Sequence, residues 1–477
     1  MVSARKFRGG CQMAGMVGGD CLSGKMKVSR MAAVSSFLVV MGLALTMAGA
    51  VVRAKFMGDS TTIVNGFYVE KRNDIDMVVL GSSNSFCTVN PLILYEEYGI
   101  AAYDFGSSSQ PMHISVLYLK EALKTQKPKV VALEVNMLAG SSISSKNEAA
   151  FRWGFTDIPL SVDKLKCIYQ SVDAVDADFF SYVFPIFRYH DRWKELSKLD
   201  YTYFCQDKTN YTKGYQETQR ISEYPINLDS YDYDEGEAWI EEESIACLDE
   251  MVQLCGKKDV ELFLFKAPNE NWHRYDTEAV RALAEERGLK FVDYNELYHS
   301  GELALDPAAD FRDRGHLNDS GARKVTAHMG AFVKANYLLP DRRNEENGPN
   351  AWDTACQYQQ RRGWQAFMAS ESAEECFDRI KNDKDYVLIV TDTMPGKGKD
   401  AHQWVYEDGK VALDVMWEEN GMRHMKIGTS ELVLAKLGGV YQVMIDDVDN
   451  YQPGSRWNMV VYDKITKSVV ASLVFDA

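Results

Sequence analysis

From Asp76 onward the chain alternates short apolar runs with stretches of helical periodicity, and few folds accept that pattern. The runs MVVL (77–80), AAYDF (101–105), VVALEV (130–135), ELFLF (261–265) and FVDY (291–294) read as strands. Helix-like stretches lie between them at 91–98, 111–125, 236–256 and 277–287, and a closing one follows at 319–336. Strand and helix in alternation mean βαβ units around a parallel sheet, so the expected core is a three-layer, doubly wound α/β domain. A length of 477 residues exceeds what one ordinary core holds, and 46% hydrophobic with 26% charged residues is the balance of a folded protein.

In such sheets ligands bind beyond the carboxyl ends of the strands, which directs attention to the residues just after each run. Gly81-Ser82-Ser83-Asn84-Ser85 follows the first, Gly106-Ser107-Ser108 the second and Asn136 the third. Further on stands Asp313-Arg314-Gly315-His316-Leu317-Asn318, about twenty residues past the last run. An Asp three residues before a His on a loop can bond the imidazole and hold its tautomer. A serine hydroxyl is a weak nucleophile until a base takes its proton, and an Asp-supported His is such a base. Each feature has a plainer alternative: Gly-Ser-Ser as an ordinary turn or phosphate nest, His316 as a surface histidine, Asn136 as a strand-end cap. Ser82 and Ser85 compete with Ser83, which is favoured because the third position of Gly-x-Ser projects its hydroxyl toward the strand ends.

This set resembles the block pattern of the SGNH/GDSL hydrolases over about residues 70 to 340. The Gly-Ser-Ser opening is similar to the branch containing the teichoic acid D-alanylation protein and alginate O-acetylation proteins. The resemblance implies a flavodoxin-like sheet, Ser83 as nucleophile, Asp313 and His316 as its dyad, and Gly106 and Asn136 as oxyanion positions. Glu134-Val135-Asn136-Met137 departs from the family's Gly-x-Asn-Asp. No cofactor is implied.

Met31 to Val52 carries no charge and matches the length of a bilayer-spanning helix. Arg5, Lys6, Arg8, Lys25, Lys27 and Arg30 precede it, while Arg53 and Lys55 follow, so the expected topology is a cytoplasmic tail (1–30), an anchor (31–52) and everything from about residue 56 outside. A cleaved signal peptide is the alternative, with Ala48-Gly49-Ala50 as its small-residue site, and Met26-Lys27 is a plausible natural start. The formal charge of -16 and the lack of a basic stripe argue against nucleic acid as a partner. Nine cysteines without a C-x-x-C pair, and no His at ligand spacing, suggest neither a metal site nor a disulfide framework.

The expected domain at 56–340 holds an aromatic-rich insertion at 140–235, where Phe187 to Trp193 suits stacking on sugar rings. His190 and Arg192 there, with Lys266 and Trp272 after the fourth strand, are candidate substrate contacts; the plainer alternative for the insertion is a helix anchored by Trp193. Residues 341–351 read as a linker, and 352–477 as a smaller β-rich domain with a helix at 371–382 and strands at 386–393, 411–417, 441–448, 458–463 and 468–475. Arg456 to Asp463, closing on Phe475-Asp476, resembles the interleukin-like EMT-inducer domain and implies a binding or spacing module. The expected function is an acyl esterase or O-acyltransferase acting on cell-surface polysaccharide or another acylated glycan, with a membrane-bound acyl-donor protein as a further expected partner. The alternative is a non-catalytic surface module that binds carbohydrate or supports assembly.

Overall fold

The computed structural model describes residues 18–53, 55, 59–139, 147–175, 177–218, 220–232, 236–343, 350–361, 370–393, 401–446, 448–452, 455–464 and 467–476. Expectations for residues 1–17 and for the linker's 344–349 fall outside them. Two compact units emerge, one comprising Met1–Arg53 with Phe184–Glu195 and the other Ala54–Val183 with Leu196–Ala477.

In the first unit a helix runs over Gly18–Val52, and its 22-residue stretch Met31–Val52, of mean hydropathy 2.1, is long and apolar enough to cross a membrane. A helix leaves its last carbonyls without intrahelical donors. Arg192 Nη1 supplies donors here, 2.7 Å from the Val52 oxygen and 2.6 Å from that of Arg53. The guanidinium expected to meet substrate is therefore engaged as a helix cap, and His190 beside it is exposed, 3.6 Å from the Asp191 carboxylate.

The second unit contains the expected α/β core. Strands β1 (Met77–Leu80), β2 (Ala102–Asp104), β3 (Val130–Glu134), β4 (Glu261–Lys266) and β5 (Lys290–Asp293) form one all-parallel sheet in the order β2-β1-β3-β4-β5. Side chains alternate across a strand, so each run feeds two cores. Val78 and Leu80, Val131 and Leu133, and Leu262 and Leu264 fill one face, while Met77 and Val79, Val130 and Ala132, and Phe263 and Phe265 fill the other. Burial on both faces is why these strands read as continuous apolar runs rather than alternating ones. The chain order reverses at β1, between β2 and β3, which makes the carboxyl end of β1 the topological switch point. After β5 a short hairpin of β6 (Phe311–Asp313) and β7 (His316–Leu317) leads into the closing helix Asp319–Asn336.

Past that helix the chain returns to the α/β core. Arg342 forms a two-pronged pair with Asp76, at 2.7 and 2.8 Å, just before β1. A helix not expected from the sequence, Ala351–Arg361, begins where the linker was expected to end, and it buries Trp352 in the α/β core with its indole N–H 2.9 Å from the Ala102 oxygen. The β-rich region is antiparallel and richer than expected: β8 (Tyr386–Thr393), β9 (Ala401–Glu407), β10 (Lys410–Trp417), β15 (Trp457–Asp463) and β16 (Ser468–Phe475) form one sheet, and β11 (Gly421–Ile427), β12 (Ser430–Leu437), β13 (Val440–Ile445) and β14 (Val448–Asp449) a second.

Candidate active site

The turn after β1 is shaped by close approach. A Cβ on Gly81, whose φ is +153°, would sit 2.8 Å from the Glu134 Cβ, and one on Gly106 would sit 2.5 Å from the Gly81 carbonyl oxygen. Only glycines let the ends of β1, β2 and β3 crowd together in this way. Ser82 then caps a four-residue helix, Ser83–Phe86, its hydroxyl accepting from the Asn84 amide at 3.4 Å. Ser82 and Ser85 are buried, and the Ser85 hydroxyl lies 2.9 Å from both the Ser82 carbonyl and the Asp104 carboxyl. Burial, helped by the nearby Glu134 carboxyl, holds the Asp104 carboxyl well above the usual carboxylate range, against the pull of the hydrogen bond it accepts from Ser85. Ser83, by contrast, is half-buried.

Asp313 and His316 form a tight hairpin rather than a loop. Strands β6 and β7 pair antiparallel with Asp313 opposite His316, and Phe311 and Leu317 are buried beneath them. His316 Nδ1 lies 2.8 Å from Asp313 Oδ1 and 3.1 Å from Oδ2, and His316 Nε2 lies 2.8 Å from Ser83 Oγ. Partial burial works against an ionised Asp313, but the His316 bond and charge, the Gly315 N–H at 2.8 Å and the Arg312 guanidinium prevail and bring its carboxyl down to about 2. A carboxylate fixed as an anion accepts the Nδ1 proton, which leaves Nε2 as the acceptor for the Ser83 hydroxyl.

Arg312 and Gln216 went unmarked in the sequence. Arg312 donates to Gln216 Oε1 at 2.9 Å and to Cys87 Sγ at 3.1 Å, so the strand carrying Asp313 is braced against the residue that ends the Ser83 helix. Asn136 lies at the end of β3 with its backbone N–H on Glu134 Oε2 at 3.0 Å, and its side-chain oxygen accepts from Asn269 at 3.1 Å. Among the described residues no group of three or more His, Cys, Asp or Glu side chains is arranged to hold a metal ion.

Two expected substrate contacts are corrected by burial. Lys266 and Glu134 are wholly inaccessible, with Lys266 Nζ 3.5 Å from Glu134 Oε1. Burial pushes the Glu134 carboxyl up and the Lys266 ammonium down, and each charge opposes the shift of the other. Trp272 is 1% exposed, and its indole N–H meets Thr277 at 3.0 Å and Asp293 at 2.9 Å. Lys266 ends β4 with its ammonium donating to the Ala267 carbonyl at 2.5 Å, out of contact with solvent, and Trp272 is core. A cavity of about 1220 Å³ lies beyond Met137–Ala139, bounded by helices Met112–Thr125, Val162–Val175 and Glu242–Lys258; Ser83 and His316 do not line it.

No protein-family model matches the chain, and no curated protein shows significant similarity to it. Among solved structures it is similar to a protein from Parabacteroides merdae ATCC 43184 assigned as a GDSL-like lipase, at 12% identity and a TM-score of 0.26, over 56% of this chain and 98% of that one.

Proposed function

We propose that the protein is a serine-dependent acyl esterase or O-acyltransferase, with Ser83 as nucleophile, His316 as base and Asp313 as the group that orients it. The observation that carries this reading is the unbroken line from Asp313 Oδ1 through His316 to Ser83 Oγ, with 2.8 Å at each hydrogen bond. His316 Nε2 takes the Ser83 proton as the oxygen attacks an acyl carbonyl, and Asp313 stabilises the imidazolium that forms. The oxyanion is met by the amides of Ser83 and Gly106 and by the side-chain amide of Asn136. His316 then returns the proton to the leaving oxygen. Water or a sugar hydroxyl, deprotonated by the same imidazole, releases the acyl group from Ser83.

The apolar helix Met31–Val52, with most nearby basic residues on its N-terminal side, favours an anchored enzyme working outside the membrane. The substrate class proposed is O-acylated cell-envelope polysaccharide. The test is hydrolysis of p-nitrophenyl acetate by the full chain in detergent. Turnover that vanishes in Ser83→Ala at an unchanged melting temperature supports the reading, and equal turnover in the two overturns it.

A further inference from the structure

Asn136 helps the reaction only if its amide presents nitrogen, not oxygen, to the developing oxyanion. An asparagine amide is nearly symmetric in shape, so packing alone does not choose between the two orientations; hydrogen-bond partners do. The partner here is Asn269, a 4%-exposed residue three positions past β4.

Asn269 has its own orientation set by the backbone. The Asn271 N–H donates to Asn269 Oδ1 at 3.0 Å, which makes Nδ2 the donor end of that side chain. The Asn269 N–H in turn donates to Asn295 Oδ1 at 3.0 Å, and Asn295 is held through its own N–H and amide on Asp293 Oδ1, at 2.8 and 3.1 Å. From this fixed position Asn269 Nδ2 reaches Asn136 Oδ1 at 3.1 Å and Asn84 Oδ1 at 3.3 Å. Asn84 directly follows Ser83. With its oxygen taken by Asn269, Asn136 has only its NH2 group left to present elsewhere.

We infer that Asn269 is a positioning residue that fixes the orientation of the Asn136 amide, so that nitrogen faces the reacting carbonyl, and ties that amide to the turn bearing Ser83. The inference rests on the acyl-transfer reading above and adds a residue to it. A backbone N–H, which cannot flip, sets Asn269; Asn269 sets Asn136.

Asn269→Asp tests this with little change of shape. The introduced carboxylate still accepts from the Asn271 N–H and faces the same neighbours, but it has no N–H for Asn136 Oδ1. Asn136 then turns over to donate to that carboxylate and aims its oxygen at the oxyanion. On p-nitrophenyl acetate with the full chain in detergent, kcat is expected to fall about 100- to 1000-fold, as for loss of an oxyanion donor, with KM changed less than about threefold.

The decisive comparison is a double-mutant cycle with Asn136→Ala. Asn269 acting through Asn136 has nothing left to orient once that amide is gone, so the double variant is expected to be no slower than Asn136→Ala alone. Multiplying effects mean that Asn269 acts by another route, such as packing or the added charge, and overturn the inference. An unaffected Asn136→Ala overturns it too. Asn269→Ala, which frees the Asn136 amide without forcing it over, is expected to lose about tenfold and gives the same cycle if the Asp variant does not fold. Failure of the underlying reading is separate: it shows as turnover that survives Ser83→Ala.

Discussion

Ser83 and His316 stand 233 positions apart in the chain, and Ser83 Oγ lies 2.8 Å from His316 Nε2. The closing helix bridges that separation. Thr326, on its buried face, donates to the Thr88 carbonyl at 3.1 Å and accepts from the Asn90 N–H at 3.0 Å, a few residues past Ser83. Asn318 caps the same helix by accepting from the Ser320 and Gly321 amides, and it follows His316 by two residues. The imidazole and the hydroxyl are thus positioned by one helix, which follows directly on the His316 hairpin and bonds the segment just past the Ser83 turn.

Asp313→Asn removes the anion that stabilises an imidazolium and leaves the hairpin intact. Turnover of p-nitrophenyl acetate is expected to fall on the order of 10,000-fold, less than the loss in Ser83→Ala. The Asp313 carboxylate is half-exposed, so its contribution to stability is small. The sign is fixed by its lowered pKa: wild type keeps that contribution above the ordinary Asp range near 4 and loses it as pH falls through about 2. Melting temperatures of wild type and Asp313→Asn should therefore converge across that window.

Lys266→Met leaves Glu134 as a buried carboxyl without its cation while Glu134 still accepts the Asn136 and Ala267 amides. Removing one partner of a buried pair costs about 3–5 kcal/mol. A urea midpoint that falls accordingly, with the exposed Lys290→Met unchanged, is the expected outcome; equal midpoints would place little weight on the pair.

His113 gives the second unit a pH response. Its Nε2 lies 2.8 Å from Ser171 Oγ, and that hydroxyl spends its only proton on the Cys167 carbonyl, so the imidazole donates through Nε2. Burial lowers the His113 pKa to about 4. The unfolded chain, titrating near 6.5, takes up the proton first, so stability falls as pH drops from about 6.5 to 4 and levels off below, by on the order of 3 kcal/mol. His113→Gln, which keeps a donor but does not titrate, should flatten that part of the stability profile measured by urea unfolding.

Gly106→Ala drives a methyl toward the Gly81 carbonyl, which belongs to backbone and has no rotamer to yield. A loss of about 1–3 kcal/mol is expected, together with lower kcat from a displaced Ser83 turn. Thermal melts and turnover measured on the same preparation check both parts.

The parallel sheet was legible because five strands buried on both faces leave unbroken apolar runs, and the strand-end blocks because a switch point tells where to look. Side-chain direction was not legible. Lys266 and Trp272 follow the right strand yet point inward, a fact set by tertiary packing, and Arg192 caps a helix distant in sequence. Asn269 left no trace in periodicity; its one signal was a polar residue just past Ala267-Pro268 at a strand end. In the β-rich region β9 was hidden by its buried Gln403, which bonds Thr391 and Trp417, and β11 by its exposed, charged face. Trp352 looked like the start of a new domain because nothing local in a helix says which core it will enter.

The most direct test of the central claim is covalent. The full chain in detergent is treated with a fluorophosphonate and digested, and the modified residue is mapped by mass spectrometry. The account predicts a single adduct on Ser83 that disappears in Ser83→Ala and is strongly slowed in His316→Ala. An adduct on Ser82, Ser85 or another serine, or labelling of Ser83 that is indifferent to His316, would contradict it.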